Sequence, residues 1–554
     1  MKILYLADQF LPEASTGTTK FIYNVVSNIL NRGIEASLIT YSSYPDEEYS
    51  EKIDDILVKR FTYRKINVIA IKCLNKNADF EFQLQNRKLF NLKKIIMEEK
   101  ADMVHICHPR RVGGIIELVK EMKIPYIITL TDCFLICPKL FLINKQNEIC
   151  SGANRGKECE RQCDDLKLNY NSRYIKAQEI LENAKIIITP SIFLKELYIR
   201  EFKDISIKIT VINHGMKFEN IDINNTVYDN KSKINFGFAS AASYIKGIFV
   251  LISAFNRLKK NENIKLNIYG GGNEDLLAIL NENSNVNMYG EYSNDNINEV
   301  YNSMDVLICP SICYESYSFV INEAFQRKIP VIASNIGAMA EFVKSGINGF
   351  TFDVGDSGQL SSLVRMISNN PRILNYLKSN INISNRNIYN EVNSYIDIYN
   401  KINNKQPIKI DNHIESKYSF KYIHDEFLGK NIDKRIPFDI KEDFYYAFDI
   451  KLNYLRKKFK NKRINYLIWG ASYSGEMTEK LITNKLKNFY LVGYVDRFKT
   501  SIIGETPIYN IEQIKYIDFN YVFICTTPGR KDACAKLKEL NLKVLENYLY
   551  GYGQ

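Results

Sequence analysis

The sequence predicts an α/β protein assembled from three units in which strand, loop and helix alternate. Three observations carry this expectation. Short aliphatic runs at Lys2–Leu6, Ile234–Phe238 and Ile464–Trp469 have the length of buried strands. Each is followed by a loop of small residues and then by an apolar helical period. The chain of 554 residues is 45% hydrophobic and 25% charged, ordinary globular usage that excludes wholesale disorder and collagen-like structure. At roughly 150 residues per domain, such a length suggests about three to four domains.

In the first unit, Lys2–Leu6 leads into the loop Ser15-Thr16-Gly17-Thr18-Thr19, a helix over Phe21–Leu30 and a strand over Ile34–Thr40. Strand, small-residue loop, helix and strand form a βαβ unit, which implies a parallel sheet. The alternation continues through Met103–Ile106, the helix Gly114–Met122, Tyr126–Leu130 and Ile186–Thr189, and a first domain of residues 1–215 ends near His214-Gly215. The second domain, 216–403, reads Ile234–Phe238, helix Gly247–Lys259, Lys265–Tyr269, the turn Gly270-Gly271-Gly272 and helix Asp275–Leu280. It continues through Val306–Cys309, helix Phe319–Gln326, Val331–Ala333, a helix from Ala340 and an amphipathic helix Asn385–Asn403 that packs back. Residues 404–416 are polar with Pro407 and read as a linker. Residues 417–554 form a third, smaller Rossmann-like unit, and no repeat of solenoid period is present.

The 74 basic against 63 acidic residues give a net charge of +11, spread along the chain. That excess is compatible with anionic lipid, nucleotide phosphate or nucleic acid and selects none of them. Heavy use of Asn, Ile, Lys and Tyr is compositional bias. The N-terminus MKILYLADQF lacks the long apolar core and cleavage site of a signal peptide, and no run approaches the roughly 18 apolar residues that cross a bilayer. The expectation is a cytoplasmic protein, with peripheral contact at the inner face of the membrane as an option. Eleven cysteines in this length are too sparse for a disulfide scaffold.

The densest chemistry lies between Ile312 and Gly349. Glu315 falls in the loop after the strand Val306–Cys309, and Glu323 stands about one turn into the next helix. Ligands of parallel sheets gather at strand carboxyl ends. The helix start at Phe319 and Val320 offers amide groups and a positive dipole end to phosphate. One carboxylate can then accept from ribose hydroxyls and the other from a sugar. Two solvated glutamates on a surface helix are the plainer reading of this pair. Context adds Lys246-Gly247 at the opening of a helix after the first strand of the second unit, where a cation can neutralise a diphosphate leaving group. It also adds Gly17 in the first loop, where backbone can approach a ligand.

With these residues in view, the chain resembles the family-four retaining glycosyltransferases of the GT-B fold, over roughly residues 1–403. The likeness rests on Ser15–Thr40, on Tyr244–Phe255 (YIKGIFVLISAF) and on Asp305–Phe350, which carries E-x7-E as Glu315 and Glu323. The resemblance implies two Rossmann-like domains facing a cleft and a nucleotide-sugar donor, UDP- or GDP-linked, bound mainly by the second. Glu323 would hold the ribose, Lys246 the diphosphate and Glu315 the sugar, with Phe319 and Val320 facing phosphate and Gly17 closing the site. Transfer would proceed with retention and without a required metal or other cofactor. The implied acceptor is a saccharide, lipid-linked or protein-linked, in surface glycan assembly, and no nucleic-acid partner is expected.

Two departures stand out. Where many relatives carry His-Asp, this chain has Thr131-Asp132, so Asp132 remains as the orienting or acceptor-contacting group. Where relatives place an arginine five residues before the phosphate lysine, this chain has Ala241. Loss of one cation at a diphosphate costs on the order of 2–4 kcal/mol of transition-state stabilisation if nothing replaces it. A catalytically degenerate, nucleotide-binding scaffold is therefore the alternative.

Cys133, Cys137, Cys150, Cys159 and Cys163 are spaced C-x3-C-x12-C-x8-C-x3-C. Four thiolates could bind zinc tetrahedrally and staple the loop 133–163; free or redox-active thiols are the other reading. The segment also resembles a Cys-bearing insertion in a subset of these transferases, which implies Cys137, Cys150, Cys159 and Cys163 as the set.

In the third unit, Gly470-x-Ser472-x-x-Gly475 follows a strand as a variant dinucleotide fingerprint, and Asp496 lies about 20 residues beyond Gly475 at the end of the strand Leu491–Val495. This unit either binds a nucleotide or serves assembly. An oxidoreductase acting through it on NAD or a nucleotide sugar is a competing function, although no Tyr-x-x-x-Lys pair follows. The basic run Lys451, Arg456, Lys457, Lys458, Lys460, Lys462 and Arg463 reads as a solvated helix face, with anionic lipid as its alternative partner.

Overall fold

The computed structural model describes residues 1–74, 84, 87–145, 149–163, 166, 168–216, 221–258, 263–272, 283–293, 295–382, 387–408, 448, 451–452, 454–460, 462–499, 501–503, 506–526 and 529–551. The chain groups into two compact units that interleave along the sequence. The first holds Met1–Thr226, Cys313–Val354 and the described part of Tyr376–Arg435. The second holds Val227–Ile312, Gly355–Asn375 and the described part of Ile436–Gln554. The expected helix Asp275–Leu280 and most of the expected linker 404–416 lie outside the described residues.

A nine-stranded sheet organises the first unit, in the order Glu51–Ile53, Ile56–Tyr63, Ile66–Cys73, Glu35–Tyr41, Lys2–Ala7, Met103–Ile106, Tyr126–Thr129, Ile187–Thr189, Ile209–Val211. Its pairs are parallel except for the antiparallel ones made by Glu51–Ile53 and Ile56–Tyr63. The central strands are buried throughout, as a sheet covered on both faces requires. One face packs on the helices Gly17–Asn31 and Ile388–Asn403, through Phe21, Ile22, Val25 and Ile29 from the first and Val392, Tyr395 and Tyr399 from the second. Each such aliphatic burial stabilises by roughly 1.5–3 kcal/mol. The amphipathic helix expected over Asn385–Asn403 is thus present from Ile388 and packs back on this sheet.

The first helix starts earlier than expected, at Gly17 rather than Phe21. Thr16 explains this: its side chain accepts from the Thr19 amide while the Thr19 hydroxyl meets the Thr16 amide, a reciprocal cap that brings the small residues into the first turn. The first unit also contains the helix Phe319–Gln326, the helix Gly337–Phe342 and the parallel pair Val331–Ser334 and Gly349–Phe352.

In the second unit, Val286–Gly290, Ile264–Tyr269, Ile234–Ala239 and Val306–Cys309 lie side by side in parallel. The helix opened by Lys246-Gly247 runs from Ile248 to Asn256, shorter than the expected Gly247–Lys259. The C-terminal part forms its own six-stranded sheet, ordered Ser501–Ile503, Thr506–Tyr509, Phe489–Val495, Ile464–Trp469, Tyr521–Ile524, Tyr548–Tyr550. Only its Ser501–Ile503 edge is antiparallel.

Candidate active site

Three strand ends and one helix start meet in the first unit. The helix Phe319–Gln326 begins after Ser318, whose side chain makes no cap bond, and Glu323 is buried one turn in, 2% exposed. Lys20, on the first helix, forms an ion pair with Glu323 Oε1 and stands 5.6 Å from the Phe319 ring centroid. Gly17 faces the same ring: a Cβ built there would lie 3.4 and 3.5 Å from Phe319 Cδ2 and Cε2. That is ordinary contact, so Gly17 is the first residue of a helix against Phe319 rather than part of an open loop. Phe319 stacks parallel to the His214 ring at 5.5 Å, and His214 Nδ1 meets Glu391 Oε1 at 2.9 Å.

Glu315 is held through its backbone. The Ala338 amide donates to the Glu315 carbonyl at 2.9 Å, and Gly337 packs so closely that a Cβ would come 2.8 Å from that oxygen. At φ +58°, Gly337 occupies the left-handed region that glycine accepts without strain. The next residue, Ser316, donates its hydroxyl to the Thr131 carbonyl, and its own carbonyl accepts from Ser191 Oγ at 2.7 Å. Thr18 Oγ1 reaches Thr131 Oγ1 at 3.3 Å. The first helix thus meets the helix start at Phe319 through Gly17 and Lys20, and meets the Thr131-Asp132 strand end and the Glu315-Ser316 loop through Thr18, Thr131 and Ser316.

Asp132 is fixed at both oxygens. The Phe134 amide donates to Oδ1 at 2.8 Å, and His108 Nε2 lies 2.7 Å from Oδ2. His108 is buried beside Asp8, with Nδ1 3.6 Å from Asp8 Oδ1. Burial works against its charge, but Asp132 and then Asp8 outweigh it and push the imidazole up to about 9. Asp8 itself is raised, first by burial. Sequence reasoning missed Asp8, Lys20 and His108, yet Asp8 directly follows the strand Lys2–Ala7 and His108 stands two residues past Met103–Ile106, at strand carboxyl ends where ligands of parallel sheets gather.

Lys246 stands in the second unit, half-buried, in a loop at the carboxyl ends of Ile234–Ala239 and Val306–Cys309. The Ile312 amide donates to the Ile245 carbonyl at 3.0 Å and ties that loop down. Gly247 has φ +69°, and a Cβ on it would stand 1.8 Å from the Pro310 carbonyl oxygen, so only glycine fits. Ala241 is exposed.

The cysteines converge as a group. Cys159 and Cys163 lie one helical turn apart, and Cys150 follows a short bridge between Ile143 and Ile149. Cys137, Cys150, Cys159 and Cys163 are all buried. Burial, reinforced by the neighbouring sulfurs, pushes Cys150 up to about 11. Among the described residues, however, no three His, Cys, Asp or Glu side chains form a ready metal-ligand set.

In the C-terminal sheet, the fingerprint loop closes on itself. Ser472 caps the helix Tyr473–Lys485 and donates to the Cys525 carbonyl at 3.1 Å. A Cβ on Gly475 would stand 2.3 Å from the Gly470 carbonyl. Asp496 Oδ2 accepts from the Ala471 amide at 2.9 Å, and Oδ1 accepts from Phe498 and Lys499. Burial raises this carboxyl, but the three amides prevail and lower it. In the basic run, Lys451 is 2% exposed and donates to the Tyr550 carbonyl, whereas Arg456, Lys457, Lys458, Lys460, Lys462 and Arg463 are exposed, as a solvated face requires, with Lys458 donating to the Leu545 carbonyl. Among the described residues, no helix is long and apolar enough to cross a membrane.

Comparison with known proteins bears on both halves of the first 400 residues. The family described as "Glycosyltransferase Family 4" matches residues 15–219, and "Glycosyl transferases group 1" matches 221–383. An uncharacterized glycosyltransferase of Methanocaldococcus jannaschii is 31% identical over 370 residues, 63% of this chain and 84% of the relative. A lipopolysaccharide 1,2-N-acetylglucosaminetransferase of Salmonella typhimurium is 29% identical over 193 residues, 31% of this chain and 50% of the relative. Among solved structures, HepE of Anabaena with UDP and glucose aligns at TM-score 0.52 and 16% identity, over 72% of this chain and 99% of its own. Sucrose-phosphate synthase of Thermosynechococcus elongatus aligns at 0.55 and 15%, over 73% of this chain and 100% of its own. At these identities the structural likeness is one of fold, the mixed α/β GT-B type.

Proposed function

This chain belongs to the group 1, family 4 glycosyltransferases, and from that premise we propose that it moves a sugar, with retention, from a UDP- or GDP-linked donor to a saccharide acceptor. The observation that carries the reading is the convergence of Glu315 and the start of the helix Phe319–Gln326 with the Gly17–Lys20 turn and the Thr131-Asp132 strand end. A helix start beside a cation suits phosphate, and a buried carboxylate suits ribose hydroxyls.

In this reading Glu323, oriented by Lys20, accepts from the ribose, the backbone at Phe319 and Val320 faces phosphate, and Glu315 accepts from the donor sugar. Lys246 stabilises charge on the leaving diphosphate, with no metal or cofactor required. Asp132 contacts the acceptor. The UDP and glucose held by HepE support a UDP donor, and the lipopolysaccharide transferase supports a surface glycan, lipid-linked or protein-linked, as acceptor. Transfer at the inner face of the membrane is consistent with that acceptor.

A panel of UDP- and GDP-sugars tests the proposal, with the anomeric configuration of the product read by proton NMR. Retained configuration, with turnover reduced at least about 100-fold by Lys246→Ala, is the expected outcome. Inverted product would reject retention, and nucleotide binding without turnover of any donor would favour a scaffold.

A further inference from the structure

We propose that His108, held between Asp8 and Asp132, is the residue that positions the Asp132 carboxylate to receive the acceptor hydroxyl. This rests on the transferase reading of the site. Asp8, His108 and Asp132 follow the strands Lys2–Ala7, Met103–Ile106 and Tyr126–Thr129, which are adjacent and parallel. Their side chains thus meet at the carboxyl end of the sheet, where ligands bind.

The division of labour follows from exposure and bonding. The Asp132 side chain is 27% exposed, whereas those of His108 and Asp8 are only 4% and 5% exposed. An ionised carboxylate offers about four acceptor positions. On Asp132 the Phe134 amide and His108 fill one on each oxygen, which fixes the group while its open edge accepts a further hydrogen. Thr131 joins this strand end to Thr18 and Ser316, and Ser316 adjoins Glu315.

Asp8 is the second independent observation. Its Oδ1 is buried and has no hydrogen-bond partner. Burying such an oxygen is costly unless a charge offsets it, and His108 Nδ1 lies 3.6 Å away. That nitrogen is also 3.2 Å from the Arg110 amide. The amide can donate only to a bare Nδ1, whereas Asp8 attracts only a protonated one. The charged groups acting on the imidazole are Asp132 and Asp8, which favour its proton, and Arg110, which opposes it; Arg111 acts on Asp8. The carboxylates prevail, so at neutral pH the charged imidazole donates to Asp132 and holds it oriented. Loss of that proton in alkali frees Nδ1 for the Arg110 amide and leaves Asp8 without its counter-charge.

Two measurements on the full chain test this. The first is a carbon-13 titration of the five histidines, with His108 assigned by its loss in His108→Gln. Wild-type His108 is expected to titrate near pH 9 and to move down by at least about one unit in Asp8→Asn; titration near 6.5 in the wild type would overturn the proposal. The second is the pH profile of UDP release from UDP-glucose, UDP-galactose and UDP-N-acetylglucosamine, with water standing in for the acceptor hydroxyl. His108→Ala is expected to lower kcat at least about 30-fold with the donor KM within about threefold. His108→Gln, which keeps a donor for Asp132 without the charge, restores part of kcat and abolishes the alkaline limb. An Asp8→Asn limb coincident with wild type, or His108→Ala within threefold of wild-type kcat, would overturn it. If His108→Ala does not fold, His108→Gln and Asp8→Asn decide. A wild type that turns over none of these donors counts against the transferase reading with UDP-sugars, and the histidine titration then decides the ion triad alone.

Discussion

Lys20 reaches from the first helix to the carboxylate of Glu323, so the acidic residue expected to hold a ribose is already paired within its own unit. The Glu323 side chain is 3% exposed and that of Lys20 is 27% exposed. A carboxylate so deeply placed needs its charge offset.

Lys20→Ala removes that offset. It should cost about 1–3 kcal/mol of stability and raise the donor KM at least about tenfold, because Glu323 loses the Lys20 ammonium that orients it for the ribose. Thermal unfolding and donor kinetics check both. A stable variant with unchanged KM would show that the pair is incidental to donor binding.

A buried polar network beneath the sheet should govern acid stability. His105 Nδ1 meets the Tyr399 hydroxyl at 2.6 Å and Nε2 meets Thr129 Oγ1 at 2.8 Å, and Tyr399 in turn meets Tyr5 at 3.1 Å. Burial lowers His105 from 6.5 to about 3. The folded value lies below the unfolded one, so this contribution is present above pH 6.5 and is lost as pH falls from there toward 3. Tyr399→Phe strands the ring nitrogen and should cost about 1–3 kcal/mol at pH 7, measured by urea unfolding. A neutral effect would mean that the network closes without Tyr399.

Trp469 is the only tryptophan and is 3% exposed in the C-terminal sheet, so its fluorescence reports that sheet alone. Asp496→Ala releases the amides of Ala471, Phe498 and Lys499 and should lower the fluorescence-detected stability by about 1–2 kcal/mol. An unchanged midpoint together with lost NAD binding would instead give Asp496 the ribose role of a dinucleotide site.

The four convergent thiols should react slowly with alkylating reagents at pH 8 in the native protein, since burial keeps Cys150 protonated up to about 11, and all should react after unfolding. Zinc analysis of the same sample settles the competing reading. One zinc per chain, with thiols protected until a chelator is added, would establish a structural metal; metal at background leaves them as free thiols.

The parallel framework was legible because buried strands read as aliphatic runs, and the helix Phe319–Gln326 appears with its expected bounds. The antiparallel pair Ile56–Tyr63 and Ile66–Cys73 was not. Its turn is Arg64-Lys65, both residues left-handed at φ +46° and +75°, where Asn-Gly would have announced a hairpin. Glu315 and Glu323 were found because their spacing is local. Asp8, His108 and Asp132 are joined only by the register of three neighbouring strands, and no short window contains all three. Lys20 was missed for a different reason, since the early start of the first helix, set by Thr16, decides which of its residues face Phe319 and Glu323.

The most direct test of the proposed site is turnover of UDP- and GDP-sugars by the wild type beside Glu315→Ala. The expected result is turnover of at least one donor, reduced at least about 100-fold by the substitution, with the bound nucleotide retained. Equal turnover by the two proteins, or none by the wild type with any donor, would contradict it.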